Sequence, residues 1–489
     1  MSSERRALRA PSVRPLVVAR AFSAAVTVLI PVVLARLFST SDYGTFKQFF
    51  LVSATLYLVL GLGVPQSLYY FLPRGDPGER RAHLVHTLSF LAAFGCVGAL
   101  AVMSAGTLLS RLGGPALASA SLPLALYVWG FLGGAVLEPG LTAQGRPGAA
   151  AIAYLVSDAL RAAAFVVPVL CGLGLRGSLW GGVAFASCRL AASWLVLLRG
   201  TEGAFFRPPL LAQQLRYALP YGGAMLLAMP QQQLHLYAVS LTSSPAAFAV
   251  YSVGCFNLPL VDLLYTPTTE LLMYRLGVIE SEGRPASEAI RVFREAVARL
   301  AYAFVPLALG IFVVAPSFLG LLYGPSYVEA TPILRIALAS VLLAILPVEG
   351  VLRARARTRL LLFSYLGKIA ISVPLVFGFL FALGPVGAMV GFVCAESIHK
   401  GFLLVCAVRA LADRPSILGE VLPLGAFARA GLAAVAAAAV AGAVRLYWPL
   451  EPLPSVVLHG GAFGIAYLGA LRAGGIGPAA WRRMFSARA

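Results

Sequence analysis

Eight basic side chains stand inside long apolar stretches of this 489-residue chain, against five acidic ones within or beside such stretches. The basic set is Arg20, Lys47, Arg161, Arg189, Arg335, Lys368, Lys400 and Arg429; the acidic set is Asp158, Asp262, Glu270, Glu349 and Glu396. A charge at the centre of a membrane costs about 2.5–3.5 kcal/mol on insertion scales, so each needs a partner or a wet cavity. Two pairs suit neutralisation along one helical face: Asp158 with Arg161, three residues apart, and Glu396 with Lys400, four apart. The remaining positive surplus suits the holding of an anion, Arg through planar two-point contacts and Lys as a point charge. Arg20 and Lys47 equally suit snorkelling at the two edges of a membrane. Arg189, Lys368 and Arg429 lie deeper in their stretches but belong to no motif.

A second cluster is neutral. Pro230-Gln231-Gln232-Gln233-Leu234-His235 sets three amides and an imidazole behind a proline. These groups suit hydrogen bonds to sugar hydroxyls, or satisfaction of backbone groups released by a kink. Asp262 has no local partner and suits either a coupling proton or sodium ion, or a pair with a basic residue of another helix. The six cysteines are scattered singly without metal-ligand spacing, so neither zinc nor a disulfide is expected, and no metal or other cofactor.

The elements that must position these residues are apolar helices. The chain is 60% hydrophobic and 12% charged with mean hydropathy +0.86, whereas soluble domains carry about 25% charged residues. The apolar content arrives in fourteen blocks: 14–37, 45–71, 84–109, 117–138, 147–173, 177–198, 216–241, 246–274, 296–322, 328–352, 360–383, 386–408, 421–446 and 454–473. Each approaches or exceeds the roughly 20 residues that cross a hydrocarbon core. Alternating ten-residue β segments are absent, which excludes an outer-membrane barrel. The fold class expected is an all-α polytopic membrane protein.

A net charge of +19 would suggest nucleic acid in a soluble chain. Here the basic residues obey the alternation of loops: 26 Lys/Arg fall in alternate loops beginning with the N-terminus, and four in the opposite set. That bias expects both termini in the cytoplasm and no nucleic-acid partner. The first apolar run is long, has no convincing A-x-A cleavage site and reads as a retained helix. Residues 275–295 carry Ala289, Val292, Phe293 and Ala296 at helical spacing and read as an amphipathic helix on the membrane surface. The first hairpin reads as an apolar helix to Arg36, a polar turn holding Asp42, Tyr43 and Gly44, and a second helix with Lys47 in its first turn.

That hairpin returns later in the chain. Leu37-Phe38-Ser39-Thr40-Ser41 is echoed by Leu241-Thr242-Ser243-Ser244-Pro245, and Pro65-Gln66-Ser67 by Pro267-Thr268-Thr269. A charged loop and a Gly-Pro turn follow each copy, Gly114-Pro115 and Gly324-Pro325. The order expects two six-helix halves, 14–198 and 216–411, joined by a linker at 199–215 and followed by two further helices over 421–473. Six is even, so the repeat is parallel and the substrate site is expected where the halves meet.

Three segments carry a family resemblance: LARLFSTSDYGTF from Leu34, its copy LTSSPAAFAVYSV from Leu241, and LLYGPSYVEATPILRI over Leu321–Ile336. Their order resembles the polysaccharide transporters, the oligosaccharide (O-antigen and exopolysaccharide repeat-unit) flippases of the multidrug/oligosaccharidyl-lipid/polysaccharide superfamily. The resemblance implies a MATE-like V of two six-helix bundles in the bacterial inner membrane, opening alternately to each side. It implies a substrate of short oligosaccharide on undecaprenyl diphosphate, with a polysaccharide polymerase and chain-length regulator as partners, and no enzyme activity. It puts basic residues of the first two helices, here Arg20 and Lys47, on the diphosphate, and gives the two extra helices a groove for the lipid tail. No Walker A motif is present, so ATP is not expected to drive the cycle directly. The rival readings are a drug/cation antiporter of the same superfamily, which should carry acidic cavity residues, and a membrane polymerase or ligase, which should carry a large periplasmic loop.

Overall fold

Inside a bilayer no water satisfies the backbone, so apolar runs of this length fold as helices. The computed structural model describes residues 14–74, 76–256, 258–411 and 418–477; among them there is no strand. The chain divides into two units, Met1–Ala249 and Val250–Ala489. Unit 1 holds α1 (Arg14–Leu37), α2 (Thr40–Gly61), α3 (Val64–Arg74), α4 (Pro77–Ser104), α5 (Gly106–Ser119), α6 (Ser121–Gly134), α7 (Leu137–Ala143), α8 (Pro147–Leu170), α9 (Gly174–Leu198) and α10 (Pro208–Thr242). The division falls within α11 (Pro245–Gly254). Unit 2 continues with α12 (Pro259–Ser281), α13 (Ala286–Tyr323), a 3₁₀ turn (Pro325–Ala330), α14 (Thr331–Leu343), α15 (Val348–Ala354), α16 (Thr358–Leu411), α17 (Leu418–Val421), α18 (Leu424–Tyr447) and α19 (Pro452–Ala473).

The first hairpin turns more tightly than its sequence suggests. Ser39 caps α2, its Oγ accepting from the Asp42 amide at 3.0 Å and donating to Asp42 Oδ2 at 2.8 Å. Two donors at the helix start are thereby organised, and Asp42, Tyr43 and Gly44 become helical rather than a turn. Lys47 consequently lies in the second turn of α2, half-buried. The echo at α11 uses the same device, with Ser244 Oγ accepting from the Ala247 amide at 3.3 Å. Gly44 is required by close approach: a Cβ there would lie 1.8 Å from the Pro245 carbonyl oxygen. In both copies the second helix is broken, at Leu62–Gly63 after α2 and between α11 and α12, which bend by 46°.

In unit 1, Leu68, Leu72, Leu84, Leu88, Leu132 and Leu197 form a core that joins α3, α4, α6 and α9. A polar seam ties α10 to α2. Gln48 Nε2 donates to Leu112 O at 2.7 Å and to Ser240 Oγ at 3.1 Å, and Thr55 Oγ1 donates to Gln233 Oε1 at 2.7 Å. These bonds satisfy polar groups that hydrocarbon would leave bare.

In unit 2 the expected surface helix at 275–295 is not separate. Its apolar residues open the 38-residue α13, and Ala289, Phe293 and Val297 are fully buried against Leu272 and Leu276 of α12. The amphipathic face is covered by protein instead of lipid. α16 runs 54 residues and is broken at Gly384 (φ 65°, ψ −154°), before Pro385. A Cβ at Gly387 would meet the Phe379 carbonyl oxygen at 1.9 Å, and one at Gly391 the Leu375 oxygen at 2.5 Å. The two arms therefore fold back on each other in backbone contact. α18 packs on α13 and α19 through Ala426, Ala430, Ala434, Ala437 and Ala441. Small side chains serve here because lipid tails are as apolar as leucine, so helices associate by close approach.

Among the described residues ten helices are long and apolar enough to cross a membrane, or eleven with the bent pair at 245–281 counted as one span. The fourteen blocks are not matched one for one by that measure. The blocks at 360–383 and 386–408 run into the single α16, and those at 14–37 and 216–241 do not meet it among the described residues.

Candidate functional site

Four ion pairs form among the charges of the apolar helices. Arg189 projects from α9 onto the end of α6, where Gly134 leaves room: a Cβ on Gly134 would lie 3.0 Å from the Arg189 Cγ. Its Nε donates to the Gly134 carbonyl at 3.0 Å and its Nη2 to Glu138 Oε2 at 2.5 Å. Ser157 Oγ donates to the other carboxylate oxygen at 3.2 Å. Glu138 is 1% exposed, so the pair is an internal salt bridge with its remaining acceptors partly satisfied. Asp158 and Arg161 pair at 2.8 Å, as their spacing suggests, and Arg161 Nη2 also donates to Thr27 Oγ1 of α1 at 2.9 Å.

The expected pairing of Glu396 with Lys400 is overturned. Lys368 of the first arm of α16 pairs with Glu396 of the second. Lys400 instead reaches both carboxylate oxygens of Glu349 on α15 at 2.8 Å, and the Tyr265 hydroxyl donates to Glu349 Oε2 at 3.3 Å. The reason is the hairpin: folding the arms together offers each side chain a cross-helix partner directly opposite, where the same-helix partner would require both to bend along the surface. His399 lies between these pairs, buried, with Nε2 3.2 Å from Ser364 Oγ. Lys368, His399 and Ser364 line a groove of about 550 Å³ whose other walls include Phe363, Ile398 and Phe402.

The remaining sequence candidates are dispersed. Gln231 and His235 are buried on α10, whereas Gln232 is exposed. Gln233, their neighbour, is committed to Thr55. Arg429 is exposed on α18 and its Nε donates to Gly425 O of the preceding turn at 3.0 Å. Asp262 is exposed in the first turn of α12 and forms no ion pair among the described residues. Arg20 belongs to α1, but its side chain lies outside the described residues.

Glu138 was not among the residues the sequence singled out. It ends the block at 117–138 and reads there as a boundary residue, yet it is the only acidic residue between Glu79 and Asp158. That isolation was the available signal. Gln48, Thr55 and Ser240 gave none, because small polar residues in membrane helices are common and their partners lie far along the chain.

The arrangement is that of paired charges within helical units. Among the described residues no three of His, Cys, Asp or Glu converge as a metal site. A family model described as polysaccharide biosynthesis protein matches residues 33–332. No curated protein matches the chain. Solved structures similar to it include one described as lipid II flippase MurJ in an inward closed conformation, with TM-score 0.66, 13% identity and coverage of 93% of this chain and 97% of that one. An inward-facing multidrug resistance MATE family transporter of the MOP superfamily gives TM-score 0.60 at 15% identity, covering 81% and 97%. A MOP superfamily transporter from Pyrococcus furiosus gives 0.52 at 14% identity, covering 81% and 94%. At these identities the likeness establishes the fold alone, which the chain shares with these three structures.

Proposed function

Because the chain belongs to the polysaccharide biosynthesis protein family, we propose that it carries a lipid-linked oligosaccharide from the cytoplasmic to the periplasmic leaflet of a bacterial inner membrane. The observation that carries this reading is the family match across 33–332 in a chain built of membrane-spanning helices. The fold shared with a lipid II flippase supports a cargo that stays anchored in lipid while its headgroup crosses. No bond is made or broken, so the protein acts as a transporter rather than an enzyme.

In this reading the substrate is an oligosaccharide on undecaprenyl diphosphate. The diphosphate must leave water, and cations inside the spans offset that cost. Arg20 and Lys47 are the proposed diphosphate contacts, with Arg429 a further cation. Gln231, Gln232 and His235 on α10 are proposed for sugar hydroxyls, and Asp262 for a coupling ion. Arg189 and Lys368 already carry carboxylate partners in Glu138 and Glu396, so they meet an anion only as those pairs open. Six-helix lobes at 14–198 and 216–411, with 199–215 between them and 421–473 appended, belong to the same proposal, as do cytoplasmic termini.

A drug/cation antiporter is the second reading, favoured by the fold shared with the MATE transporter. The two separate experimentally. Arg20→Ala and Lys47→Ala, singly and together, are expected to abolish surface polysaccharide in a strain that depends on this protein while expression stays normal. Normal polysaccharide from the double variant removes the headgroup role, and altered drug susceptibility without a polysaccharide defect favours the antiporter.

A further inference from the structure

Unit 1 has a second polar feature, remote from the in-membrane pairs. Arg80, in the first turn of α4, Arg146, just before α8, and Arg199, just after α9, line one pocket of about 610 Å³. The three spans that meet it begin at Gly78, begin at Pro147 and end at Leu198. The pocket therefore lies where three candidate spans begin or end, a position that suits the plane of lipid headgroups.

Its walls are built. Gly203 lies so close to α4 that a Cβ on it would be 2.1 Å from the Gly78 carbonyl oxygen, which pins the 199–207 loop there. Gln144 Nε2 donates to Leu197 O at 2.9 Å, and Thr201 Oγ1 donates to Leu198 O at 2.7 Å, fixing the rim. The nearby Glu79 is engaged by Arg207 at 3.5 Å. Among the described residues Glu202 is the only carboxylate lining the pocket. Among the described residues none of the three arginines forms an ion pair; all three are exposed. Three guanidiniums from separate elements, opposed by a single carboxylate, make a concave positive field that an anion would fill. The start of α4 adds the positive end of a helix dipole to the same wall. A space of about 610 Å³ admits a phosphate-bearing headgroup.

Loop arginines at a membrane edge orient many proteins without binding anything. Orientation requires only that they lie on one side, and convergence on one walled pocket goes beyond that. We propose that this pocket binds the phosphate headgroup of an anionic lipid held in the adjacent leaflet. The lipid source follows from location, since a leaflet supplies headgroups at high local concentration in this plane, and basic pockets between spans take such groups. The proposal rests on the span ends and the arginines; only its polyprenyl diphosphate arm rests on the transport reading. Two lipids share the chemistry, a bilayer phospholipid such as phosphatidylglycerol and a polyprenyl diphosphate.

The test uses the full-length protein in phosphatidylcholine nanodiscs doped with a fluorescent phosphatidylglycerol or a fluorescent polyprenyl diphosphate, read by energy transfer from tryptophan. The triple variant Arg80→Gln/Arg146→Gln/Arg199→Gln is compared with Arg357→Gln/Arg359→Gln/Arg409→Gln, which removes the same charge from unit 2. Affinity for at least one lipid is expected to fall by about tenfold or more in the pocket variant and to change little in the control; the lipid that responds identifies the source. Equal losses in both variants, or no preference of the native protein for either anionic lipid over phosphatidylcholine, overturn the proposal. Should the triple variant fail to purify, Arg146→Gln and Arg199→Gln singly must each weaken the same lipid by about threefold, and no change in either also overturns it.

Discussion

Replacing Glu138 with alanine should destabilise unit 1 through the charge it strands. The Arg189 side chain is 15% exposed and gives Nη2 to Glu138; without the carboxylate it retains the Gly134 carbonyl at 3.0 Å. Breaking a buried ion pair by removing one partner costs about 3–5 kcal/mol, because the other charge is left uncompensated. Unit 1 spans 249 residues, a size at which 1 kcal/mol moves a melting temperature by about 2–4 °C. A fall of about 6–20 °C is therefore expected. The assay is loss of the monodisperse peak of detergent-purified protein on heating, at one fixed scan rate because unfolding of such proteins is irreversible. The companion variant Glu138→Leu/Arg189→Met removes both charges and should recover most of the loss, since apolar replacement of a buried pair is often neutral or stabilising. A shift below about 2 °C in Glu138→Ala, or a double variant that melts as low as the single one, would refute the reading of this pair as mutual neutralisation.

Two further outcomes follow from the packing. Lys400→Met should lower the melting temperature by stranding Glu349, whose side chain is 14% exposed and bonded by the same amine through both oxygens, and adding Glu349→Gln should restore it; failure of the second change to rescue would show that Lys400 acts by some other contact. Gly44→Ala should reduce the yield of folded protein sharply, because its methyl would fall 1.8 Å from the Pro245 carbonyl oxygen; a normally folded Gly44→Ala protein would disprove the close approach of α2 to α11.

The sequence by itself determined the class of this protein. Whether a run of about 20 apolar residues forms a membrane helix depends on its own length and composition, so the helices could be read locally. The same held for Asp158 and Arg161, whose partnership is written in their spacing. The start of α2 was half-legible: Ser39 and Asp42 form a recognisable cap, but Gly44 read as a turn residue when its purpose is contact with Pro245. What only the tertiary structure decided is the partner of each buried charge. Glu396 has Lys400 one turn away and binds Lys368 instead, because the break at Gly384 lays the two arms of α16 side by side. Gln48 meets Ser240 across 192 residues, and the apolar stripe at the start of α13 faces α12 where lipid was expected. Hydrophobic length is a property of one segment, whereas neutralisation inside a membrane is a property of the faces that two segments turn toward each other, and no window on the sequence contains both.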